Sequence, residues 1–211
     1  YYTPGTYNIS LTTSDGINSF SKTKNSYITI LPSPGKYTPY TESFEVSAFP
    51  NSDWMIFNPD NSSYKWELKT GAAYTGTKCL KMNNFGNDTL QKDELLSSSF
   101  DLSNLTSATV KFKIAYCQRT SATNDKLTAY VSANCGKTWT IRFAKVGSAL
   151  ATSPAQTSAF TPSSSAAWAE FSFSLMSTSL TENFRMKFVF ESDGGNNLYL
   201  DDINIAGVYN P

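Results

Sequence analysis

Two adjacent carboxylates interrupt an otherwise apolar stretch near the C-terminus, at Asp201 and Asp202. The apolar residues occupy even-numbered positions before the carboxylates, at Leu198 and Leu200. After the carboxylates they occupy odd-numbered positions, at Ile203 and Ile205. Residues i and i+2 of a regular strand face the same way, so we predict a bulge or kink at Asp201-Asp202. Two carboxylates at such a kink need a counter-charge, and a bound hard cation is a natural one.

Glu45 is a third candidate ligand, from the start of the same predicted domain. The first and last strands of a β-sandwich often lie side by side, which would bring Glu45 close to the two aspartates. Calcium binds about six to eight oxygen atoms from carboxylates, carbonyls and amides. We therefore expect Glu45, Asp201 and Asp202 to hold a structural calcium ion that ties the termini together. The alternative is that Asp201 and Asp202 end a strand and face water.

A second constellation predicts a hairpin, with Ser132, Asn134, Gly136, Thr138 and Trp139 at fixed spacing. The segment resembles the Asp-box, S-x-D-x-G-x-T-W, with Asn134 in the place of the aspartate. An Asn side chain can hydrogen-bond the turn backbone, Gly136 can adopt a positive φ, and Trp139 can pack beneath the turn. We interpret these residues as a structural element and not as an active site.

Aromatic residues provide the third constellation, because they form 14% of the chain. Sugar-binding modules present aromatic faces beside amides and carboxylates. Trp54, Tyr64 and Trp66 lie near such polar residues and are candidate ligand-binding residues. The alternative is that each packs in a core or under a hairpin.

The composition excludes several kinds of chemistry. The chain has no histidine, which removes Ser-His-Asp triads, Cys-His dyads and His-containing zinc protease motifs. Any hydrolysis would rest on carboxylates such as Glu170 and Glu191, which are isolated in sequence. The net charge is zero, which gives no indication of nucleic-acid binding. No apolar run is long enough to span a bilayer.

The three cysteines, Cys79, Cys117 and Cys135, fit no metal-site spacing. We do not expect Cys117 to pair directly with Cys135, because they lie at opposite ends of a predicted hairpin. A bond from Cys79 to either one stays open, and the alternative is three thiols that are buried or partly buried.

The elements that position these residues are strands. Residues 1–31 predict two strands and a turn, and residues 32–39 form a Pro-rich linker. Residues 40–211 alternate with period two between turns rich in Ser, Asn and Gly, which indicates an antiparallel β-sandwich of the jelly-roll type. The long segment from Gly147 to Ser165 is predicted to be a surface excursion. The chain begins inside a predicted strand, so we expect it to be a piece of a longer precursor.

Two resemblances add to this interpretation. Residues 2–11, Y-T-P-G-T-Y-N-I-S-L, resemble the Y-x-x-P-G-x-Y-x-V-x-L segment of PKD domains, which are small immunoglobulin-like sandwiches. Residues 40–205 resemble the MAM-like or carbohydrate-binding-like jelly-roll modules of secreted bacterial proteins. Three segments carry this second resemblance, and they are residues 43–60, 131–139 and 195–205.

The same order of modules is similar to the C-terminal halves of cytophagalysin-like proteins exported by the type IX system. The resemblance implies a calcium ion between the Phe-Glu segment and the Asp-Asp strand, with Glu45 and Asp202 as ligands and Asp201 less clearly so. The peptidase motif of that family is absent from this chain.

We therefore predict a noncatalytic accessory module of a secreted or cell-surface multidomain bacterial protein. It would bind a polysaccharide or a cell-surface protein, or space other domains. The alternatives are a purely structural or adhesive segment and a carboxylate-based glycosidase.

Overall fold

The computed structural model describes residue 3 and residues 5–30, 35–87 and 90–211, and it is an all-β protein of antiparallel sheets. The strands in chain order are β1 (Gly5–Ser14), β2 (Ser19–Ile30), β3 (Tyr40–Glu42), β4 (Trp54–Phe57), β5 (Trp66–Thr70), β6 (Lys78–Met82), β7 (Lys92–Ser97), β8 (Leu105–Tyr116), β9 (Lys126–Ser132), β10 (Thr140–Val146), β11 (Ala169–Ser174), β12 (Arg185–Glu191) and β13 (Leu198–Tyr209). Short 3-10 turns at Gly147–Ala149, Ser165–Ala167 and Ser177–Ser179 are the helical segments of the described chain.

Strands β1 and β2 form a two-stranded sheet of their own, as their alternating residues predict. The Asp15 carboxylate organises the connecting turn, because its Oδ1 accepts hydrogen bonds from the backbone N–H groups of Ile17 and Asn18. Tyr2 and Pro4 of the PKD-like segment lie outside the described residues. The assignment of this hairpin to a PKD-like domain stays a prediction.

The remaining strands form two facing sheets. One has the strand order β10-β9-β12-β7-β4 and is called the five-stranded sheet below. The other has the order β11-β8-β13-β6-β5, with β3 also paired to β13, and is called the six-stranded sheet. The β-sandwich predicted from the alternating pattern is therefore confirmed.

The core lies between the two sheets, where alternate residues of each strand meet. Val110, Phe112 and Ile114 of β8 face the core from the six-stranded sheet and are fully buried. Phe188 of β12 packs against Phe112 from the five-stranded sheet, with ring centroids 5.0 Å apart in an edge-to-face arrangement. Burial of one such side chain contributes about 1.5–3 kcal/mol, so this layer holds the sheets together.

The outer faces of the two sheets differ. The segment between β10 and β11 folds back over the six-stranded sheet, where Phe160 and Trp168 pack with Tyr199 in a second apolar cluster. The predicted surface excursion is therefore a packed covering layer. No second apolar cluster forms on the outer face of the five-stranded sheet among the described residues.

All three cysteines are free. Cys79 and Cys117 are buried within the covering cluster of the six-stranded sheet, and Cys135 is exposed in a turn. Burial raises the pKa of the Cys79 thiol to about 12 and that of Cys117 to about 11, which keeps both in the neutral form.

The described half of the predicted linker is attached to the sandwich. Gly35 is buried against the backbone of Ser99 and Phe100, where an added Cβ would lie 2.8 Å from backbone atoms. The Lys36 ammonium forms a 2.5 Å ion pair with Asp53. The boundaries at residues 31, 39 and 40 stay predictions.

Candidate functional site

The outer face of the five-stranded sheet carries a cluster of one lysine, two aromatic rings and one carboxylate. The Lys187 ammonium lies 5.4 Å from the ring centroid of Tyr130 and 5.0 Å from that of Trp139. It also donates hydrogen bonds to both oxygens of Glu94, at 2.8 and 3.0 Å. We call Tyr130, Trp139, Lys187 and Glu94 the aromatic–lysine cluster.

Strand register places this cluster. Lys187 of β12 is opposite Tyr130 of β9, and Glu94 of β7 is opposite Val189, two residues further along β12. These positions have the opposite parity to Leu127, Ala129, Met186 and Phe188, which fill the core. Side chains at i and i+2 share a face, so the same alternation that builds the core also aligns the cluster outside it.

Further charges flank the cluster along the same face. Glu191 forms ion pairs with Lys92 at 2.9 Å and with Lys126 at 3.2 Å. Burial acts to raise the pKa of Glu191, but the two ammonium groups outweigh it and hold the pKa below its ordinary value. The face therefore presents fixed ion pairs beside aromatic rings.

The glycosidase alternative finds no support in the placement of its two candidate carboxylates. Glu191 lies on the five-stranded sheet, and Glu170 lies on β11 of the six-stranded sheet. Glu170 forms ion pairs with Lys111 and Lys113, which hold its pKa below the ordinary value. Two carboxylates on different sheets, each neutralised by lysines, do not flank one glycosidic bond.

Trp139 is positioned by the hairpin between β9 and β10. Ser132 Oγ accepts a hydrogen bond from the Gly136 N–H at 2.8 Å, and Asn134 Oδ1 accepts one from the Thr138 N–H at 2.9 Å. Gly136 has a φ of 88°, and an added Cβ would lie 3.2 Å from the Trp139 ring. The Asn side chain thus organises the turn through neutral hydrogen bonds, and Gly136 leaves room for the indole.

The three aromatic residues selected from the sequence do not lie together on a surface. Trp54 and Trp66 are fully buried in the core, which corrects the prediction that they face a ligand. Trp54 stacks on Phe188 and donates its indole N–H to the Tyr40 hydroxyl at 3.0 Å. Tyr64 is half-buried and donates its hydroxyl to the Gly86 carbonyl at 2.8 Å, and its role in ligand binding stays a prediction.

Glu45, Asp201 and Asp202 converge on the loop of residues 71–77. Asp201 Oδ2 accepts the N–H of Tyr74 at 2.8 Å and that of Thr75 at 3.3 Å. Asp202 Oδ1 accepts the hydroxyl of Thr75 at 2.6 Å. Both aspartates of the bulge therefore contact this loop.

Glu45 accepts hydrogen bonds from the C-terminal end of this loop, so all three carboxylates contact it. Its Oε1 accepts the N–H groups of Thr77 at 2.7 Å and Lys78 at 2.6 Å, and its Oε2 accepts the Thr77 hydroxyl at 2.8 Å. Gly76, with a φ of 67°, passes so close that an added Cβ would lie 2.5 Å from Glu45 Oε1. These hydrogen bonds lower the pKa of Glu45.

The bulge predicted at the two aspartates is confirmed. The register between β13 and β8 shifts between Asp201 and Asn204, and Asp202 has a φ of 47°. This extra residue lets Leu200 and Ile203 both face the core, although they have opposite parity. Asp201 is fully buried, and desolvation raises its pKa to about 7.

The residue types at the bulge suit calcium, because carboxylate and hydroxyl oxygens are its preferred ligands. In the structure, however, these oxygens accept hydrogen bonds from loop amides and hydroxyls. Among the described residues, no three His, Cys, Asp or Glu side chains are grouped closely enough to hold a metal ion by themselves. The calcium site at Glu45, Asp201 and Asp202 stays a prediction.

Sequence reasoning missed the aromatic–lysine cluster, although one signal could have found it. Tyr130 interrupts a strand whose core residues are Leu127, Ala129 and Val131, so its parity already placed it outside. The partners Lys187 and Glu94 depend on which strands are neighbours.

A groove of about 340 Å³ lies at the β4 edge of the same face, lined by Tyr27, Thr29, Met55, Ile56, Phe57, Leu96 and Arg185.

Comparison with known proteins gives a fold and no family. No protein-family model matches this chain, and no curated protein matches it. Within the described residues, none of the helical segments has the length and apolar character needed to cross a membrane.

Solved structures with a similar fold include the three cleaved adhesin domains K1, K2 and K3 of Lys-gingipain, those of K1 and K3 being from Porphyromonas gingivalis W83. K1 is 16% identical, with a TM-score of 0.58 over 81% of this chain and 98% of its own. K2 is 18% identical, with a TM-score of 0.55 over 80% of this chain and 99% of its own. K3 is 17% identical, with a TM-score of 0.55 over 79% of this chain and 97% of its own. At such identities the likeness shows that this chain has the β-sandwich fold of these domains.

Proposed function

We propose that this chain is a noncatalytic binding module of a secreted or cell-surface multidomain bacterial protein, and that it binds a glycan on the outer face of its five-stranded sheet. The observation that carries the proposal is the aromatic–lysine cluster. It holds two aromatic rings and an ion pair in fixed positions on the sheet face that lacks a covering apolar layer in the described chain.

The chemistry of the cluster suits a sugar. A pyranose ring has an apolar C–H face that packs on an aromatic ring, and hydroxyl groups at its edge that hydrogen-bond charged side chains. Tyr130 and Trp139 are partly buried, and their accessible parts supply the aromatic surface. Lys187 and Glu94, together with Glu191 and its lysines, supply donors and acceptors that are already ordered by their ion pairs. Less side-chain entropy is then lost on binding.

The fold comparison supports the same proposal at a coarser level. The Lys-gingipain domains with this fold are adhesin domains. Transfer of an adhesive role to this chain, and of a place at the cell surface, is part of the proposal. If the same face binds a protein instead, a glycan screen will yield no ligand.

The experiment is a glycan-array screen followed by calorimetry on the best ligand. Tyr130→Ala and Lys187→Ala should each weaken binding about tenfold or more, because a few aromatic and charged anchor residues carry most of the energy of a binding site. Lys111→Ala is the matched control, since Lys111 is an exposed lysine on the other sheet. Equal affinities of all three variants, or the absence of any glycan ligand, would contradict the proposal.

We also propose that calcium stabilises the bulge, with Glu45, Asp201 and Asp202 among its ligands. The support is their convergence on the loop of residues 71–77 and the burial of Asp201 beside a second carboxylate. A cation there would offset the desolvation of Asp201. The test is a comparison of the melting temperature with and without excess chelator.

A further inference from the structure

Asp93 is a buried carboxylate on the core-facing side of β7. It shares its parity with the core residue Leu95, lies opposite Phe190 of β12, and is 1% exposed. No group in the described chain hydrogen-bonds its Oδ1, and none of the described lysines or arginines forms an ion pair with it. A charged carboxylate that is buried with an oxygen left unpartnered carries a desolvation cost of several kcal/mol, which a bound cation could offset.

Asn58 presents a second unpartnered oxygen at the same place. Strands β4 and β7 pair from Trp54 opposite Ser97 to Phe57 opposite Glu94, and continuation of this register by one residue would place Asn58 opposite Asp93. Directly opposed residues of antiparallel strands have their Cβ atoms about 4.5–5.5 Å apart. Asn58 Oδ1 is buried and has no hydrogen-bond partner in the described chain.

The turn after β4 fixes this amide and brings a second carboxylate. Asn58 Nδ2 donates to the Ser62 carbonyl at 2.9 Å, which leaves Oδ1 as the free end of the amide. The Asn58 carbonyl accepts the N–H of Asn61 at 3.2 Å, which closes the turn. Asp60 lies in this turn and is close enough to Asp93 to raise its pKa by charge repulsion.

The electrostatics agree with this geometry. Desolvation and, to a smaller extent, Asp60 raise the pKa of Asp93 to about 7. Among the described residues, no hydrogen bond acts in the opposite direction. Asp93, Asn58 and Asp60 therefore supply acceptor oxygens, and two of these, Asp93 Oδ1 and Asn58 Oδ1, are buried without a donor in the described chain.

We propose that Asp93, Asn58 and Asp60 form a binding site for a hard divalent cation of the calcium class. Carboxylate and amide oxygens are the ligands that such cations prefer, and carbonyls of the turn or water would complete the coordination. The bound cation tethers the turn of residues 58–62 to β7, next to the β4 edge of the five-stranded sheet. This site is separate from Glu45, Asp201 and Asp202, and it does not depend on the proposed glycan binding.

The experiment is a calcium titration of chelator-stripped protein by calorimetry, with the whole chain and calcium chloride alone as the ligand. Asp93→Asn should lose one binding event or weaken it at least tenfold. Its metal-free form should melt at or above the metal-free wild type, because the amide removes an uncompensated buried charge. Glu45→Gln should leave the Asp93-dependent event in place, which separates the two sites. Glu182→Gln, an exposed carboxylate elsewhere, is the control.

Asp60→Asn gives an independent result, because Asp60 is exposed and its replacement is expected to fold. It should weaken the same binding event by about threefold or more. A buried water or a protonated Asp93 would satisfy the same atoms without calcium. In that case the wild type would bind no calcium at this site, or Asp93→Asn and Asp60→Asn would match its stoichiometry and affinity, and either result overturns the proposal.

Discussion

Asp125 hydrogen-bonds the turn that precedes β13, and its replacement tests how much this one carboxylate stabilises the domain. Its carboxylate is fully buried, just before β9. It accepts five hydrogen bonds of 2.7–3.1 Å, and the donors are Asn84 Nδ2, the Tyr116 hydroxyl and the backbone N–H groups of Asp193, Gly195 and Asn196. Gly195 has no space for a side chain, since an added Cβ would lie 2.0 Å from Asp125 Oδ2.

Asp125→Ala leaves these donors without their acceptor. A buried polar group without a partner costs about 1–3 kcal/mol, and removal of one member of a buried charged network typically costs about 3–5 kcal/mol in total. We expect the free energy of unfolding to fall by about 4 kcal/mol. For a chain of this size the melting temperature falls about 2–4 °C per kcal/mol, so the expected decrease is about 8–16 °C.

The assay is thermal and urea unfolding of the variant beside the wild type. Asp193→Asn is the matched control, because Asp193 lies in the adjacent turn, is exposed and accepts one backbone N–H, that of Asn124. It should change the free energy of unfolding by less than about 1 kcal/mol. A decrease of less than about 3 °C for Asp125→Ala would refute the view that one carboxylate anchors this turn.

Three further predictions concern other parts of the molecule. Glu191→Gln should cost about 0.5–1 kcal/mol at pH 7, since it removes partly exposed ion pairs. The folded-state pKa of Glu191 is lowered, so its contribution is complete above the unfolded pKa of about 4.3 and is lost as the pH falls through the folded value. The stability difference between the two proteins should therefore shrink as the pH falls below about 4. Gly136→Ala should destabilise the chain by about 1–2 kcal/mol in urea unfolding, because alanine would have to adopt a φ of 88° beside Trp139. The control is Gly71→Ala, at a position that also has a positive φ but has open space around it. Equal stabilities of the two variants would argue against crowding by the indole. Excess chelator should lower the melting temperature of the wild type, because the ligand-bound native state is the more stable one. If Glu45 is a calcium ligand, chelator should lower the melting temperature of Glu45→Gln by a smaller amount. An unchanged melting curve of the wild type would contradict the calcium proposal at the bulge.

Much of the architecture followed from the alternation of apolar residues along the strands. The parity change between Leu200 and Ile203 predicted the bulge, because a buried face can change parity only where an extra residue is inserted. The convergence of Glu45 with Asp201 and Asp202 followed from the expected pairing of first and last strands, and β3 indeed pairs with β13. A change of parity can be seen in consecutive residues, so the sequence alone is enough to predict it.

The burial of Trp54 and Trp66 could not be read in the same way. Strand β4 is four residues long and apolar at both parities, as Trp54, Met55, Ile56 and Phe57 show. The pattern therefore did not indicate which face is inside. Strand β5 has Trp66 at its first residue, and the indole enters the core only because β5 pairs with β6 at the edge of the six-stranded sheet.

The surface that we propose to bind a glycan depends on contacts between strands that are distant in sequence. Lys187 meets Tyr130 and Glu94 because β12 lies between β9 and β7. The unpartnered oxygens of Asn58 and Asp93 likewise belong to one proposed site only because β4 pairs with β7. Strand order of this kind is set by the packing of the whole domain, which the sequence alone does not display.

Mapping of a glycan titration by amide chemical shifts tests the central claim most directly. If the outer face of the five-stranded sheet is the binding surface, the largest shifts should fall on residues of β7, β9 and β12 around Glu94, Tyr130 and Lys187, and on Trp139. Shifts concentrated on the six-stranded sheet or on the loop of residues 71–77, or no shifts with any glycan, would contradict it.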